Sequence, residues 1–478
     1  MSLMVSLSGV RGIVGDSLTP DVVIHFAAAF GKYCKDQSTS AAPEVIIGRD
    51  GRITGKIIAN IISSTLLSTG VNVRAMGVCP TPTIQLAVEK TKSTGGISVT
   101  ASHNPMQWNG MKFIARTGMF LDATESSYLW SIARSRGATY APWNAIGTHV
   151  ADDSWIQNHV DAVLSLGYAD VRRIQQRKLK VVADCVNSAG GKIVPGMLRR
   201  LGCEVIEMNC DVSGVFAHAP EPIPENLSEL AERVISEKAD LGIAVDPDVD
   251  RVVFITERGE PYGEEYTVAS AVKFVLEKEA GRKTGAPALD REPLKVVINL
   301  STTRAVDDIA AAYGAEVIRT PVGEINVAKR MKEARAIVGG EGSGGVILPA
   351  VHLGRDAIVG IALILQMLVE SGGTLSDLKS SLPQYSIAKG KIPIGNGSPD
   401  DIIKRLMVFS ERQGTVNTED GLRIDHADYW VHMRRSNTEP IMRVIAEANT
   451  QTQAIEIVRK YELQIASLIT EKVQNEMP

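Results

Sequence analysis

Three aspartates at alternate positions, Asp246, Asp248 and Asp250 in Asp246-Pro247-Asp248-Val249-Asp250-Arg251, pose a charge problem. Two unit charges about 4 Å apart repel by about 4 kcal/mol at an effective dielectric near 20, so three carboxylates on one loop call for a cation or wide separation. In an extended segment the alternation puts all three on one side. A hard divalent ion with oxygen ligands answers the repulsion, and magnesium suits phosphate chemistry. The calcium EF-hand reading fails: Arg251 stands where the loop needs glycine, and Val252 to Ile255 reads as a strand, although Glu257 does fall at the final ligand position. A second reactive stretch is Gly95 to Pro105, where β-branched Ile97 and Val99 give way to Thr100, Ser102 and His103 before Asn104-Pro105 stops the strand. Ser102 is thus a hydroxyl nucleophile candidate on a loop at a strand's carboxyl end, the edge where ligands bind in open parallel sheets.

Gly340 to Gly345 contains a literal G-x-G-x-x-G after a strand. It is a poor dinucleotide fingerprint, because Val346-Ile347-Leu348-Pro349 is strand-like where a helix amino terminus is required. Glycines flanking Glu341 and Ser343 instead let backbone approach a ligand while a carboxylate and a hydroxyl face it, and sugar hydroxyls want such partners. Arg434, Ser436, Asn437 and Thr438 combine a forked guanidinium, two hydroxyls and an amide into an anion-binding set, though alone they could equally be turn residues. Arg11, in Ser8-Gly9-Val10-Arg11-Gly12, is a further glycine-flanked cation that by itself could be surface loop.

The elements that position these loops form a repeat. Glu44 to Asp50 leads through a helical pattern to Gly70-Val71-Asn72-Val73; Lys180 to Asp184 leads to Gly202 to Ile206; Lys295 to Asn299 leads to Gly314 to Ile318. Strand, helix, glycine, strand at these lengths is a βαβ unit with parallel pairing. Each copy is followed by one more strand that ends in one of the loops above: Ser102 in the first, the aspartates in the second, the glycines in the third. The spacing, over 100 residues, indicates duplicated domains and not a short-repeat solenoid. The chain's end differs, with closely spaced strands at Gly421 to Asp425, Tyr429 to Met433 and Ile441 to Glu447 and a closing helix from Thr450 to Leu468, the pattern of an antiparallel sheet with helices on one side. The expected fold is α/β: three related domains with mainly parallel mixed sheets, 1–148, 149–260 and 261–372, plus a smaller α+β domain, 373–478.

Length and composition agree. A chain of 478 residues, 44% hydrophobic and 22% charged, suits three or four soluble domains. With 51 basic and 55 acidic residues the net charge is −4, which gives no reason to expect nucleic acid or a membrane surface as partner. The basic run Arg172 to Lys180 reads as a solvated helix end. Five cysteines, odd in number and without Cys-x-x-Cys, read as reduced thiols in a cytoplasmic protein. No secretory signal is apparent, and the apolar run Ala357 to Val369 is too short for a membrane span and reads as a buried helix.

Taken in order, Ser8 to Gly12, Thr100 to Pro105, Asp246 to Arg251, Gly340 to Gly345 and Arg434 to Pro440 resemble the α-D-phosphohexomutases, the phosphoglucomutases, phosphomannomutases and phosphoglucosamine mutases, over essentially the whole chain. The resemblance implies four domains around a central cleft and a phosphorylated Ser102 that joins Asp246, Asp248 and Asp250 in holding Mg²⁺. It further implies Glu341 and Ser343 on sugar hydroxyls, and Arg434, Ser436, Asn437 and Thr438 on the phosphate that is not reacting. Arg11, His103, Lys112 and Arg251 match positive or proton-handling positions. The implied reaction interconverts hexose 1- and 6-phosphates, glucose or mannose type, through a hexose 1,6-bisphosphate that also serves as activator. A phosphosugar is the only partner implied, with the enzyme a monomer or homodimer and the last domain hinging near 373.

Three departures bear on the sugar preferred. Pro247 and Val249 replace glycines common between the aspartates and spare the ligands; Gly345 stands where many members carry histidine, and Pro321 where a lysine often occurs. The loop lacking histidine also resembles members assigned to glucosamine phosphate. A magnesium-dependent sugar phosphatase and a non-catalytic sugar-phosphate binder are the rival classes.

Overall fold

The computed structural model describes residues 3–40, 42–282, 292–394, 398–410, 414–436 and 441–475. Among these, four sheets follow one another along the chain. The first comprises β1 (Met4–Ser6), β2 (Gly9–Ile13), β3 (Glu44–Arg49), β4 (Asn72–Val78), β5 (Gly95–Val99), β6 (Trp108–Ala115) and β7 (His149–Ala151), in the order β1-β2-β6-β5-β3-β4-β7. The second holds β8 (Lys180–Asp184), β9 (Glu204–Met208), β10 (Leu241–Val245) and β11 (Val252–Thr256); the third holds β12 (Lys295–Asn299), β13 (Glu316–Thr320), β14 (Val338–Glu341) and β15 (Gly345–Ile347). Their orders, β11-β10-β8-β9 and β13-β12-β14-β15, repeat the β4-β3-β5-β6 core of the first. In each copy the two βαβ strands and the third strand are parallel, and the fourth returns antiparallel. The chemistry-bearing loops are therefore the turns between third and fourth strands, all at one sheet edge. The expected mixed α/β fold is the observed one.

The fourth sheet is antiparallel: β16 (Ser386–Pro393), β17 (Thr415–Asn417), β18 (Leu422–Asp425), β19 (Tyr429–Arg435) and β20 (Ile441–Ala448), ordered β16-β20-β19-β18-β17 and covered by the helix Gln451–Asn475. That helix and the inward faces of β18, β19 and β20 form a separate core around Leu422, Val431, Met433, Val444 and Ala446.

The apolar run 357–369 is a helix, Ala357–Ser371, with every residue through Val369 buried. It packs against the helices Glu264–Arg282 and Trp155–Leu164 and against β15. One continuous core consequently spans the second and third sheets. Such a helix needs no polar face, because it has protein on all sides. Its start is fixed by Asp356, whose Oδ1 accepts the backbone N–H groups of Ile358 and Val359, and Gly372 ends it in the left-handed region.

Candidate functional site

Ser102 lies at the end of β5 with a left-handed backbone, φ +50°, an uncommon state for a non-glycine residue. Its loop is clamped by Arg52, which is fully buried. The Arg52 guanidinium donates to the carbonyls of Ser102 (2.6 Å), Asn104 (2.7 Å), Pro105 (2.8 Å) and Trp108 (2.9 Å), while Nε pairs with Asp50 at 3.0 Å. Thr100 completes the clamp: its hydroxyl donates to Asp50 and accepts the Ser102 N–H. The Ser102 hydroxyl is so delivered 3.2 Å from Asp246 Oδ2 and 3.3 Å from His103 Nδ1.

Asp246, Asp248 and Asp250 are all fully buried, and one carboxylate oxygen from each converges with the others within 4.8 Å. The expectation of an extended segment is wrong in detail. Residues 247–250 form a tight turn, with Val249 at φ +61°, and it is this turn and not strand alternation that gathers the carboxylates. Asp246 Oδ1 accepts the backbone N–H groups of Asp250 and Arg251. Asp248 Oδ2 accepts from Lys112 (2.6 Å) and Thr81 (2.7 Å), and Asp250 Oδ2 from Arg355 (2.6 Å) and Lys112 (3.2 Å). The second oxygens, Asp248 Oδ1 and Asp250 Oδ1, are buried without a hydrogen bond. Protein donors thus hold one oxygen of Asp248 and one of Asp250 and leave the second of each buried without a hydrogen bond, while Asp246 Oδ2 meets the Ser102 hydroxyl. An oxygen-rich buried set of this kind fits a hard divalent ion such as Mg²⁺.

The electrostatics follow. Burial and the neighbouring Asp250 and Asp248 push the Asp246 carboxyl well above its usual range. Burial acts the same way on Asp250, yet Arg355, Lys112 and Arg251 outweigh it and hold that carboxyl well below the usual range. Burial would discharge Lys112, but Asp248 and Asp250 keep it charged. His103 is driven well below its ordinary value by burial and by the cations Arg251 and Arg11, so at neutral pH it is an uncharged imidazole that holds a proton less readily than a free one.

Arg11, on β2, donates to Asn104 Oδ1 at 3.1 Å. Arg251 keeps its Nε 3.7 Å from Asp250 Oδ1. Glu341 ends β14, with Oε1 accepting from Asn299 Nδ2 and the Gly323 N–H (2.8 Å each) and Oε2 from Arg355 at 2.7 Å. Ser343 is partly exposed in the β14–β15 turn. Arg434, on β19, pairs through Nε with Asp420 Oδ2 at 3.0 Å, and the Ser436 N–H donates to the Ile441 carbonyl. Asn437 and Thr438 lie outside the described residues. The structure brings the serine, aspartate and Glu341 loops into one contiguous network; Arg434 approaches it from the fourth sheet.

Sequence reasoning missed Arg355 and Arg52. Arg355 bridges the aspartate and glycine loops, and it also lies 3.2 Å from Glu324. Its stem fills the space beside Gly345, where an added Cβ would stand 2.3 Å from Arg355 Cδ. A charged Arg-Asp pair directly before a largely apolar helix was the available signal. For Arg52 it was a second arginine past β3, at the same sheet edge as the other loops.

The chain matches the four family models described as phosphoglucomutase/phosphomannomutase α/β/α domains I, II and III and C-terminal domain, at residues 4–138, 157–259, 265–385 and 398–463. A phosphoglucomutase/phosphomannomutase of Thermococcus kodakarensis is 36% identical, covering 94% of this chain and 95% of that protein. A probable phosphoglucosamine mutase of Methanopyrus kandleri is 33% identical over 94% and 95%, and a phosphoglucosamine/phosphogalactosamine mutase of Sulfurisphaera tokodaii 31% over 96% and 98%. Among solved structures, a phosphoglucomutase/phosphomannomutase family protein from Burkholderia thailandensis superposes with a TM-score of 0.82 at 24% identity, covering 97% of this chain and 98% of that one, which shows the shared fold.

Proposed function

Since the chain belongs to the phosphoglucomutase/phosphomannomutase family, whose members are phosphohexomutases, we propose that it interconverts hexose 1-phosphate and hexose 6-phosphate, glucose or mannose type, with Ser102 as the phosphoryl carrier. The observation that carries this reading is the Ser102 hydroxyl 3.2 Å from Asp246, on a turn where Asp248 and Asp250 each keep a buried oxygen without a hydrogen bond. Ser102, Asp246, Asp248 and Asp250 would hold Mg²⁺, which when bound supplies positive charge against the phosphoryl oxygens. Phosphoryl transfer depends on positioning and charge neutralisation more than on covalent activation.

In the first half-reaction the bond between Ser102 Oγ and phosphorus breaks and a bond from the free sugar hydroxyl to phosphorus forms. His103, whose Nδ1 lies 3.3 Å from Ser102 Oγ, would pass the proton that the hydroxyl loses to the departing Ser102 oxygen. Lys112, Arg11 and Arg251 stabilise charge on the moving group, Glu341 and Ser343 orient the sugar, and Arg434, Ser436, Asn437 and Thr438 hold the spectator phosphate. The resulting 1,6-bisphosphate reorients and returns its other phosphoryl group to Ser102, so a trace of bisphosphate primes unphosphorylated enzyme. Reorientation calls for the last domain to hinge. Of the expected limits 148, 260 and 372, the first moves past β7, because His149–Ala151 pairs with β4 in the first sheet, and the hinge moves from 373 to nearer β16, because Leu375, Leu378 and Leu382 belong to the core of the second and third sheets. Five cysteines without a disulfide, all but Cys210 buried, favour a cytoplasmic enzyme, as monomer or homodimer.

Glucosamine phosphate is the second reading, favoured by the names of the Methanopyrus and Sulfurisphaera relatives. Turnover of glucose, mannose and glucosamine 1-phosphates, with Mg²⁺ and trace bisphosphate, separates the two. Build-up of inorganic phosphate without any 6-phosphate would replace the mutase by a phosphatase.

A further inference from the structure

Arg434 and Glu341 stand on different sheets, yet a short run of polar contacts joins them. Asp420, in the turn before β18, accepts on one oxygen, Oδ2, both the Arg434 Nε–H and the backbone N–H of Val322, each at 3.0 Å. The next backbone N–H, that of Gly323, donates to Glu341 Oε1 at 2.8 Å. Two consecutive amides of one loop thus point at the carboxylate behind the arginine and at the sugar-loop carboxylate. Pro321 precedes them and fixes its own φ, which stiffens that loop.

Asp420 is itself held from behind. His432 Nε2 donates to the Asp420 carbonyl at 2.6 Å, and His432 Nδ1 accepts from the Ser301 hydroxyl at 2.8 Å. Because the carboxylate grips Arg434 at Nε, it sets the rotation of the planar guanidinium, on which two-point phosphate recognition depends. Any shift of Arg434 onto a phosphate therefore loads the 322–323 loop and, through it, Glu341.

We propose that Asp420 is a positioning residue that couples the phosphate grip of Arg434 to the sugar-reading carboxylate Glu341, so that phosphate and sugar hydroxyls are bound cooperatively. This rests on the reading of Arg434 and Glu341 given under Proposed function. Contiguous contacts become coupling only where each end shifts the other's equilibrium, and a double-mutant cycle measures that.

The test is the dissociation constants of glucose, mannose and glucosamine 6-phosphates, by calorimetry with Mg²⁺ on the full chain, for wild type, Asp420→Asn, Glu341→Gln and the double variant. We expect Asp420→Asn to weaken the preferred ligand about tenfold, and the double variant to fall short of the product of the single effects by about fivefold, within the usual range of site-to-site coupling. Ser301→Ala cuts another of the tethers between the same sheets without touching Arg434, and its effect multiplies simply with that of Glu341→Gln. Thermal melts establish that the variants are folded; should Asp420→Asn not fold, Asp420→Glu, which keeps the charge and displaces it, enters the same cycle. Simple multiplication of the Asp420 and Glu341 effects, or unchanged affinity in the Asp420 variant, overturns the proposal. If Glu341→Gln leaves all three ligands unaffected, the site reading falls and the coupling falls with it.

Discussion

Arg355 and Gly345 make one unit at the scale of residues. The arginine's stem fills the volume that any side chain at 345 would need, and its guanidinium ties Asp250 to Glu341. Arg355→Met leaves Glu341 buried without its cation and Asp250 with Lys112 and Arg251 alone, so kcat is expected to fall about 10²-fold or more, the scale of losing one placed charge in a dry site. Gly345→His alone should also be damaging, because its Cβ meets Arg355. Adding Gly345→His to Arg355→Ala, where the space is free, should recover part of the loss and bring a titrating imidazole into the pH profile of kcat. No recovery would mean that the two positions are unrelated. Ser102, the three aspartates and Glu341 were legible from residue type and from the abrupt end of β-branched runs. Arg355 was not, since its meaning comes from neighbours 105 and 14 residues away in the chain.

At the scale of elements, the three βαβ copies could be read because β-branched runs and glycines recur at matching intervals. The N-terminal hairpin β1–β2 and strand β6 escaped notice: Asn109-Gly110 looks like a turn, whereas Gly110 sits mid-strand opposite Arg11. Yet these strands carry Arg11 and Lys112 into the site. The seam between third and fourth sheets gives a pH prediction. Burial, aided by Arg434 and Arg423 and opposed by Asp420, lowers His432 to about 4. An unfolded chain takes up the proton near 6.5, while the folded chain refuses it until about 4. Stability is therefore full above pH 6.5, declines as pH falls toward 4 and levels off below, by about 3 kcal/mol in all. Melting temperatures measured across that interval should drop for wild type and flatten for His432→Gln. Equal slopes for the two proteins would remove His432 as the cause.

At the scale of the whole molecule, the second and third sheets share one core through the helix Ala357–Ser371, and the fourth sheet has its own. Hydrogen exchange should show the strands of the second and third sheets opening together, at a higher free energy than β16 to β20, because a shared core makes one cooperative unit. Separate exchange classes for the second and third sheets would contradict this. Three repeats of loop placement could be read along the chain, but the fusion of two cores could not. The apolar run 357–369 announced burial without saying between what. Nor did the sequence disclose that the aspartates meet through a turn at Val249, since backbone φ is set by packing around the loop and not by the spacing of charges.

If Ser102 carries the phosphoryl group, the enzyme itself bears it between the two half-reactions. Mass spectrometry of peptides from enzyme incubated with hexose 1,6-bisphosphate and Mg²⁺, then chased with excess hexose 1-phosphate, reads this directly. One phosphoryl group is expected on the peptide containing Ser102, lost in the chase at a rate no slower than turnover, with no such label in Ser102→Ala. Undiminished turnover in Ser102→Ala, or a phosphoryl group that resides elsewhere, would contradict Ser102 as the carrier.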